Sequence, residues 1–255
     1  MGRRSLPKVD PLVDLSRWYR DLRKLEPPFR MGDFFASEGP LEVELGTGKG
    51  LFIQAASKAS PDTRFLGLEL ADKYSRYSAY RLARDGAENA VMISGDGLRF
   101  FREFLPTACC NAVHVYFPDP WWKKRHAKRR VMNGPFLEDV VRTLVPGGSL
   151  HFWSDVEEYF RVSLELLKLF PQLEGPLPVE APIPAHEFDY RTHFERRMTQ
   201  HDKPIFRSRF VRSSEPFSPA WFAGRDYDFE EERFDREAWQ QAKNERTETN
   251  GADAE

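Results

Sequence analysis

The sequence feature that most constrains the fold is an apolar run that ends at an aspartate held between two prolines. Residues 112–117, AVHVYF, have the composition of a short buried strand. Pro118 cannot donate a hydrogen bond to a sheet, so the strand has to end at Phe117. Pro120 restricts Asp119 to extended or turn geometry. Asp119 is therefore predicted at the carboxyl end of a strand, the edge at which open α/β sheets bind their ligands.

The residues that follow Asp119 combine flat aromatic surface with dense positive charge. Trp121 and Trp122 supply two indoles, and residues 123–130 contain six Lys or Arg and one His. A fixed carboxylate beside these groups suits a purine base within a polyanion. Taken singly, a basic run is more often a solvated face or a targeting patch, and a Pro-Asp-Pro sequence is often only a turn.

The charge of the chain is distributed unevenly, which reconciles a net charge of −2 with a polyanionic partner. Residues 226–255 contain eleven acidic and four basic side chains, so this segment carries −7 and residues 1–225 carry +5. No apolar run reaches the length of a membrane span, and residues 1–10 lack the apolar core of a secretion signal. With only the adjacent Cys109 and Cys110 as thiols, these features predict a cytoplasmic protein.

The rest of the chain alternates between strand and helix patterns, which predicts an α/β fold with a doubly wound parallel sheet. Strands are predicted at 41–45, 64–68, 90–94, 112–117, 149–153 and 204–211. Helices are predicted after the glycine turn that follows the first strand, and at 72–84, 98–105, 135–144 and 157–170. Residues 1–40 are predicted to form an irregular or partly helical arm, and residues 171–187 a proline-rich connection.

A glycine-rich turn, GTGKG at 46–50, separates the first strand from its helix. It is not the dinucleotide fingerprint, because the third glycine of that pattern would fall on Leu51. It is not a phosphate-binding P-loop either, because Gly50 stands where Ser or Thr should follow Lys49. The glycines still allow the backbone to approach a ligand closely, which by itself is a weak signal.

Acidic residues stand at the ends of three successive strands and sharpen that signal. Glu44 precedes the glycines, where its charge would repel a pyrophosphate and attract an amino group or a sulfonium. Glu69 ends the second strand, where a carboxylate can accept both ribose hydroxyls of a nucleoside. Asp96 follows the third strand and can reach an adenine. The three together favour S-adenosylmethionine over NAD, although acids are also common at strand ends because those ends face water.

One further pattern has two interpretations. Thr192 followed by Glu195 is a capping box at a helix start. The second interpretation, a substrate-contacting motif, comes from the family resemblance described next, and the two interpretations are compatible because a capped helix start presents groups rigidly.

The chain resembles the bacterial-type tRNA (guanine-N7)-methyltransferases, whose signature is Phe-Pro-Asp-Pro-Trp followed by Lys, a basic pair and His. The resemblance covers about residues 41–211. It implies the class I methyltransferase (Rossmann-like) fold: a seven-stranded, mostly parallel sheet with helices on both faces and an antiparallel last strand. The chain is therefore divided into a methyltransferase domain at 41–211, an arm at 1–40 before it, and an acidic extension at 212–255 whose end is predicted from its composition to be disordered.

The resemblance further implies the reaction and the residues that carry it. The reaction is methyl transfer from S-adenosylmethionine to N7 of a variable-loop guanosine in tRNA, with Asp119 as the catalytic residue and no metal. The implied cofactor-binding residues are Glu44, Gly46, Gly48, Glu69, Asp96 and Asp119. The implied tRNA-binding residues are Lys123, Asp155, Thr192 and Glu195, with weaker backbone contacts from Lys124, Arg125, Lys128, Arg129 and Arg130.

Two alternatives and two departures remain at this stage. The fold could serve a non-catalytic tRNA-binding protein, or a methyltransferase acting on an exocyclic amino group. The latter enzymes use an Asp/Asn-Pro-Pro-aromatic loop, and Asp119-Pro120-Trp121 lacks its second proline. The arm at 1–40 lacks the long basic extension expected for the family, and the acidic extension is additional. The expected partner is tRNA without a membrane, and monomer and homodimer are both open.

If the basic segment grips phosphates, tRNA affinity should fall steeply with salt. Replacing Lys128 and Arg129 with Ala should then flatten the dependence of log K on log salt by about one unit per lost contact. Filter binding or fluorescence titration at several salt concentrations measures this slope. An unchanged slope would identify the segment as a solvated face.

Overall fold

The protein is described here from a computed structural model, which describes residues 6–121, 129–179 and 192–219. Eight strands form one sheet: β1 Tyr19–Asp21, β2 Leu41–Leu45, β3 Arg64–Glu69, β4 Ala90–Ser94, β5 Cys110–Tyr116, β6 Leu144–Ser154, β7 Leu173–Leu177 and β8 Phe206–Arg212. The helices are α1 Leu51–Ala59, α2 Asp72–Asp85, α3 Gly97–Arg99, which continues as a π-helix over Phe100–Phe104, α4 Gly134–Thr143, α5 Glu157–Leu167 and α6 His193–Gln200.

The strands lie in the order β1-β4-β3-β2-β5-β6-β8-β7. All pairs of neighbouring strands among β1 to β6 are parallel, whereas β8 runs antiparallel to both β6 and β7. From β2 the chain builds outward through β3 and β4 on one side, and from β5 outward on the other. The strand order therefore reverses between β2 and β5, which is where open α/β sheets bind ligands. The predicted fold class, including the antiparallel last strand, is confirmed.

The alternation of each central strand divides the core between the two faces of the sheet. On β3, Phe65 packs with α1 and α2, whereas Leu66 and Leu68 belong to the cluster formed with α4 and α5. On β4, Met92 lies with the first cluster and Ile93 with the second. This period of two is what strands buried on both faces require, and it explains why near-continuous apolar runs marked them in the sequence.

The eighth strand is a departure from the seven predicted. Residues 19–21 pair in parallel with β4, in the register Tyr19↔Met92. The Met92 amide donates to the Trp18 carbonyl at 2.8 Å, and the Trp18 indole donates to the Ala87 carbonyl at 2.6 Å. The irregular or partly helical arm predicted for residues 1–40 did not include this strand, which forms because the unpaired edge of β4 takes an extended segment more readily than a helix. Two 3-10 turns, Leu22–Lys24 and Met31–Asp33, follow the strand.

β7 lies within residues 171–187, which the sequence predicted as a proline-rich connection, and the boundaries of the remaining elements agree with the sequence pattern except in β6. That strand begins at Leu144 and not at residue 149 as predicted. Its pairing with β5 shifts register between Cys110 and Ala112, so the Pro146–Gly148 segment bulges within the strand and does not precede it.

A glycine in β3 tests how tightly the sheet is packed beneath the site. Gly67 is the register partner of Glu44, and a Cβ there would lie 2.5 Å from the Met92 sulfur and 2.8 Å from the Thr47 methyl. Gly67→Ala should therefore lower the free energy of unfolding by about 1–3 kcal/mol through overpacking. The matched control is Gly32→Ala, where nothing lies within 4 Å and the change should stay within about 0.5 kcal/mol. Urea unfolding of both variants measures the difference, and equal values would show that the space around residue 67 is adaptable.

Candidate functional site

A cavity of about 830 Å³ opens at the carboxyl ends of β2 and β5, where the strand order reverses. Its wall is made by the end of β2, the glycine turn, α1, α2, the end of β5 and one side of α6. The lining residues are Glu44, Gly46, Thr47, Gly48, Lys49, Leu51, Phe52, Tyr74, Tyr116, Phe117, Thr192, Phe194, Arg196, Arg197, Gln200 and His201. Among the predicted site residues, Glu44, Gly46, Gly48 and Thr192 thus share one cavity.

The glycine turn is held in a conformation that exposes its backbone. Gly46 and Gly48 have φ angles of 85° and 54°, a region that residues with a Cβ rarely adopt. The Gly46 amide donates to the Leu68 carbonyl at 2.8 Å, which fixes the turn to β3. At Gly50, a Cβ would lie 2.7 Å from the Ser78 Cβ, so the missing side chain also allows α1 and α2 to approach closely. The turn is therefore rigid, although it has no side chains of its own at three positions.

Glu44 is buried at the cavity wall with 2% of its surface exposed. Within the described part of the chain, its Oε2 atom is enclosed and has no hydrogen-bond partner. Burial raises the pKa of the Glu44 carboxyl well above its ordinary value, and the negative charge of Glu69 raises it further. Glu44 lines the cavity, and a buried carboxylate oxygen without a partner is suited to accept a hydrogen bond from a ligand that brings a donor to it.

Glu69 connects the end of β3 with the glycine turn. Its Oε2 accepts a hydrogen bond from the Gly48 amide at 2.8 Å, and its Oε1 accepts one from the Ala71 amide at 2.9 Å. The carboxylate is therefore fixed in place, as a group that recognises a ribose would need to be.

Asp96 is exposed and caps α3. Its Oδ1 accepts from the amides of Leu98 and Arg99, at 3.0 and 3.3 Å. The register Glu69↔Ser94 places it at the same sheet edge as Glu69. The structural role as a cap and the predicted role toward an adenine are compatible, because a capping carboxylate retains a second oxygen.

These residues fit the S-adenosylmethionine that the sequence predicts. Glu44 offers an unpartnered carboxylate oxygen to a cationic group, Glu69 offers fixed acceptors to a ribose, and the turn offers a close backbone approach.

The Pro-Asp-Pro turn follows β5 directly and is bracketed by two aromatic residues with left-handed backbones. Phe117 has a φ of 51° and Trp121 a φ of 45°, each a conformation that costs roughly 1–2 kcal/mol outside glycine. The Phe117 amide donates to the Trp153 carbonyl at 2.9 Å, the last bond of the ladder before Pro118. Asp119 is exposed, two residues beyond the cavity wall. Such stored strain is characteristic of functional turns.

The two described arginines of the basic segment differ in environment. Arg130 is 7% exposed, and its Nε donates to the Pro120 carbonyl at 3.0 Å. Arg129 is exposed, with its guanidinium 5.1 Å from the centre of the Trp121 ring. The predicted RNA contacts Lys123, Lys124, Arg125 and Lys128 lie outside the described residues. For Arg130 the structure supplies a contact that does not involve RNA.

Helix α6 closes the cavity from above and uses the predicted Thr-x-x-Glu to do so. Thr192 is its N-cap, with Oγ1 accepting from the Glu195 amide at 2.9 Å. The Glu195 carboxylate is buried and forms an ion pair with Arg207 of β8 at 3.0 Å. Between them, Phe194 packs on Phe117 with ring centroids 4.9 Å apart. The capping interpretation is confirmed, and the predicted tRNA contacts of Thr192 and Glu195 remain predictions.

The cavity also has residues that the sequence analysis did not single out. Arg196, Arg197 and His201 line it from α6, and Tyr74 lines it from α2. The Arg-Arg pair after a capping box was a detectable signal, because it puts positive charge in the first two turns of a short helix. Asp155, the remaining predicted residue, is half-buried directly after β6 and does not line the cavity.

A polar chain beneath the cavity was also missed. The Tyr116 hydroxyl and the His114 Nδ1 lie 2.8 Å apart, and His114 Nε2 lies 2.8 Å from Glu42 Oε2. His114 and Tyr116 are two residues apart on β5 and so point to the same face. The chain fixes the Tyr116 side chain in the cavity wall.

Two further observations concern residues 6–121, 129–179 and 192–219. No helix there has both the length and the apolar character needed to cross a bilayer. No group of three or more His, Cys, Asp or Glu side chains in the same ranges is arranged to hold a metal ion.

Comparison with known proteins gives consistent matches. Residues 38–208 match the sequence model of a family described as "Putative methyltransferase". The tRNA (guanine-N(7)-)-methyltransferase of Rhodopirellula baltica is 40% identical over 220 residues, covering 84% of this chain and 81% of that protein. The protein of the same name from Ralstonia nicotianae is 37% identical over 156 residues, covering 60% and 61%. The crystal structure of the antibiotic-resistance methyltransferase Kmr aligns at 19% identity and TM-score 0.47, over 71% of this chain and 90% of that one.

The burial of Glu44 predicts how stability depends on pH. Its pKa is raised on folding, so the unfolded state loses its proton first, from about the ordinary value of 4.5 upward, and stability falls as pH rises. Glu44→Gln should remove this loss. The variant should therefore unfold at a higher temperature than the wild type at about pH 8, and the gap should narrow toward about pH 5.

The control is Glu38→Gln. Glu38 is an exposed acid that precedes the amino end of β2, and its substitution should leave the pH profile unchanged. Added S-adenosylmethionine should raise the melting temperature of the Glu44→Gln variant less than that of the wild type, because a charge-assisted hydrogen bond of about 1.5–3 kcal/mol is lost. Parallel pH profiles of wild type and Glu44→Gln would show that the carboxyl is not buried in solution.

Proposed function

The chain belongs to the methyltransferase family matched by residues 38–208 and to the tRNA (guanine-N(7)-)-methyltransferases, and we propose that it methylates N7 of a variable-loop guanosine in tRNA. The cofactor is S-adenosylmethionine. The observation that carries the proposal is the position of the Pro-Asp-Pro turn. It follows Phe117 in the wall of the same cavity that encloses the unpartnered oxygen of Glu44.

Three acidic residues are assigned to the cofactor. Glu44 accepts from its amino group, Glu69 from its ribose hydroxyls, and Asp96 contacts its adenine. The unpartnered Oε2 of Glu44 and the fixed carboxylate of Glu69 support this assignment. Gly46 and Gly48 allow the backbone to follow the ligand. When bound, S-adenosylmethionine supplies a methyl group activated by a sulfonium.

Guanine N7 has an exposed lone pair, so the enzyme needs no base to deprotonate the nucleophile. What the protein has to provide is alignment of N7 with the methyl group and negative charge near a purine that becomes cationic. Asp119 is assigned to this task. Its carboxylate can accept hydrogen bonds from the N1 and N2 edge of the base, and its charge favours the cation from the same position. The strained backbone on both sides of the turn supports a fixed orientation.

The basic groups around the cavity mouth are assigned to binding of the tRNA backbone. Arg196 and Arg197 on α6 line the cavity, and the Arg197 guanidinium lies 4.7 Å from the centre of the Phe194 ring. The exposed Arg129 extends this basic surface on the other side of the turn. These groups would bind phosphates on both sides of a guanosine whose base enters between them. We also propose a cytoplasmic location, which a tRNA substrate supports.

Incubation of the protein with tRNA and labelled S-adenosylmethionine should yield 7-methylguanosine in the variable loop, detected by nucleoside mass spectrometry. Asp119→Ala should lower kcat by about 10²–10³-fold while cofactor affinity changes less, because the carboxylate acts mainly in the transition state.

The matched control is Asp62→Ala, an exposed acid before β3 at the opposite edge of the sheet, which should retain wild-type turnover. Label found in N6-methyladenosine, or only in protein, would sink the assignment of the reaction. Full turnover by Asp119→Ala would leave the reaction in place and refute the role of the carboxylate.

A further inference from the structure

Arg130 is a buried arginine directly beside an exposed one. Only 7% of its surface is accessible, whereas Arg129 is exposed. Arginine is almost never buried unless its guanidinium is engaged, because desolvation of the charge is costly. In Arg130 the Nε–H group donates to the carbonyl of Pro120 at 3.0 Å. The contact ties the residue that follows Asp119 to a residue ten positions further along the chain.

The Pro120 carbonyl is a group through which the backbone of the Pro-Asp-Pro turn can be held in place. Pro118 and Pro120 have no N–H groups, so neither backbone amide can stabilise the turn. The flanking residues, Phe117 and Trp121, both adopt strained left-handed backbones. A turn with this strain and few donors has to be held through its carbonyls. The hydrogen bond from Arg130 lies one peptide beyond Asp119, so it fixes the backbone that aims the Asp119 carboxylate.

The other side of Arg130 rests on rigid elements. Its guanidinium lies 5.9 Å from the ring centre of Tyr159, a fully buried residue of α5. Its carbonyl accepts from the Asn133 side-chain amide at 2.8 Å, and Asn133 is the N-cap of α4. The Tyr159 hydroxyl accepts from the Met132 amide at 3.3 Å, which anchors the same segment a second time.

Electrostatics at Tyr159 place both charges nearby. Burial raises the pKa of the Tyr159 hydroxyl, Arg130 lowers it, and Asp119 raises it. Arg130 and Asp119 therefore shift the pKa of the same buried hydroxyl in opposite directions.

We propose that Arg130 is a positioning residue for Asp119, holding the Pro-Asp-Pro turn through the Pro120 carbonyl so that the carboxylate meets the guanine base. The proposal rests on the proposed function, since it assigns Asp119 to catalysis. It divides the last two arginines of the basic segment by task. Arg129 meets tRNA phosphate from the surface, and Arg130 supports the catalytic turn from below.

The experiment compares two variants that each remove one positive charge from adjacent positions. Arg130→Gln should lower kcat by about 10–100-fold, because a displaced catalytic group loses rate steeply with distance. The affinity for tRNA and its salt slope should stay unchanged. Arg129→Gln should instead weaken tRNA binding, so that its loss appears mainly in KM for tRNA, and reduce the salt slope by about one. Arg130→Lys keeps the charge but lacks the planar donor, so its kcat should lie between wild type and Arg130→Gln.

A double-variant cycle separates positioning from a general loss of structure. If Arg130 acts through Asp119, Arg130→Gln should add little further loss of kcat in the Asp119→Ala background. Thermal unfolding of each variant identifies those that are folded. If Arg130→Gln does not fold, Arg130→Lys decides: a lowered kcat with an unchanged salt slope supports the proposal, and wild-type kcat overturns it.

Two other results would overturn the proposal. One is a folded Arg130→Gln variant with kcat within about twofold of wild type, or with the same loss of salt slope as Arg129→Gln. The other is a double variant whose fold-loss of kcat equals the product of the two single-variant losses, as expected for residues that act independently. A wild-type protein that forms no 7-methylguanosine would refute the proposed function itself, which the wild-type assay establishes before any variant is compared.

Discussion

The site depends on how β5 ends. The Phe117 amide makes the last ladder bond of the strand, to the Trp153 carbonyl, and Pro118 has no amide to continue the ladder. The chain therefore leaves the sheet at the point where β2 also leaves it into the glycine turn, because β2 and β5 are neighbours. Two unrelated local stop signals, a proline and a glycine, thus place the Pro-Asp-Pro turn and the glycine turn at the same edge of the sheet.

A second layer of packing converts that edge into a cavity. Helix α6 is held from one side by the buried ion pair between Glu195 and Arg207, and from the other by the contact of Phe194 with Phe117. The short Thr-x-x-Glu sequence therefore has a structural task at every described position. A movement of the helix that carries Arg196 and Arg197 would therefore disturb Phe117, the residue that precedes the Pro-Asp-Pro turn.

Sequence reasoning predicted what depends on periodicity and chain stops. The buried strands were predicted from their apolar runs. The acids at their ends were found because the carboxyl ends of parallel strands lie at the same edge of the sheet. It failed where a residue's environment is set by distant parts of the chain. Tyr19 joined a sheet edge that no local pattern reveals. Arg130 looked like its neighbour Arg129, and only the fold shows that one guanidinium is buried against Pro120 and the other is not.

The enclosed carboxyl of Glu44 has a consequence for how the protein takes up its cofactor. Because burial and the charge of Glu69 raise its pKa, the free cavity tends to retain a proton on that carboxyl. A ligand that brings a cationic amino group makes the ionised form favourable again and displaces the proton. If Glu44 accepts the amino group of the cofactor as proposed, binding exchanges one positive charge at this carboxyl for another, and the protein releases a proton to its surroundings as the site fills.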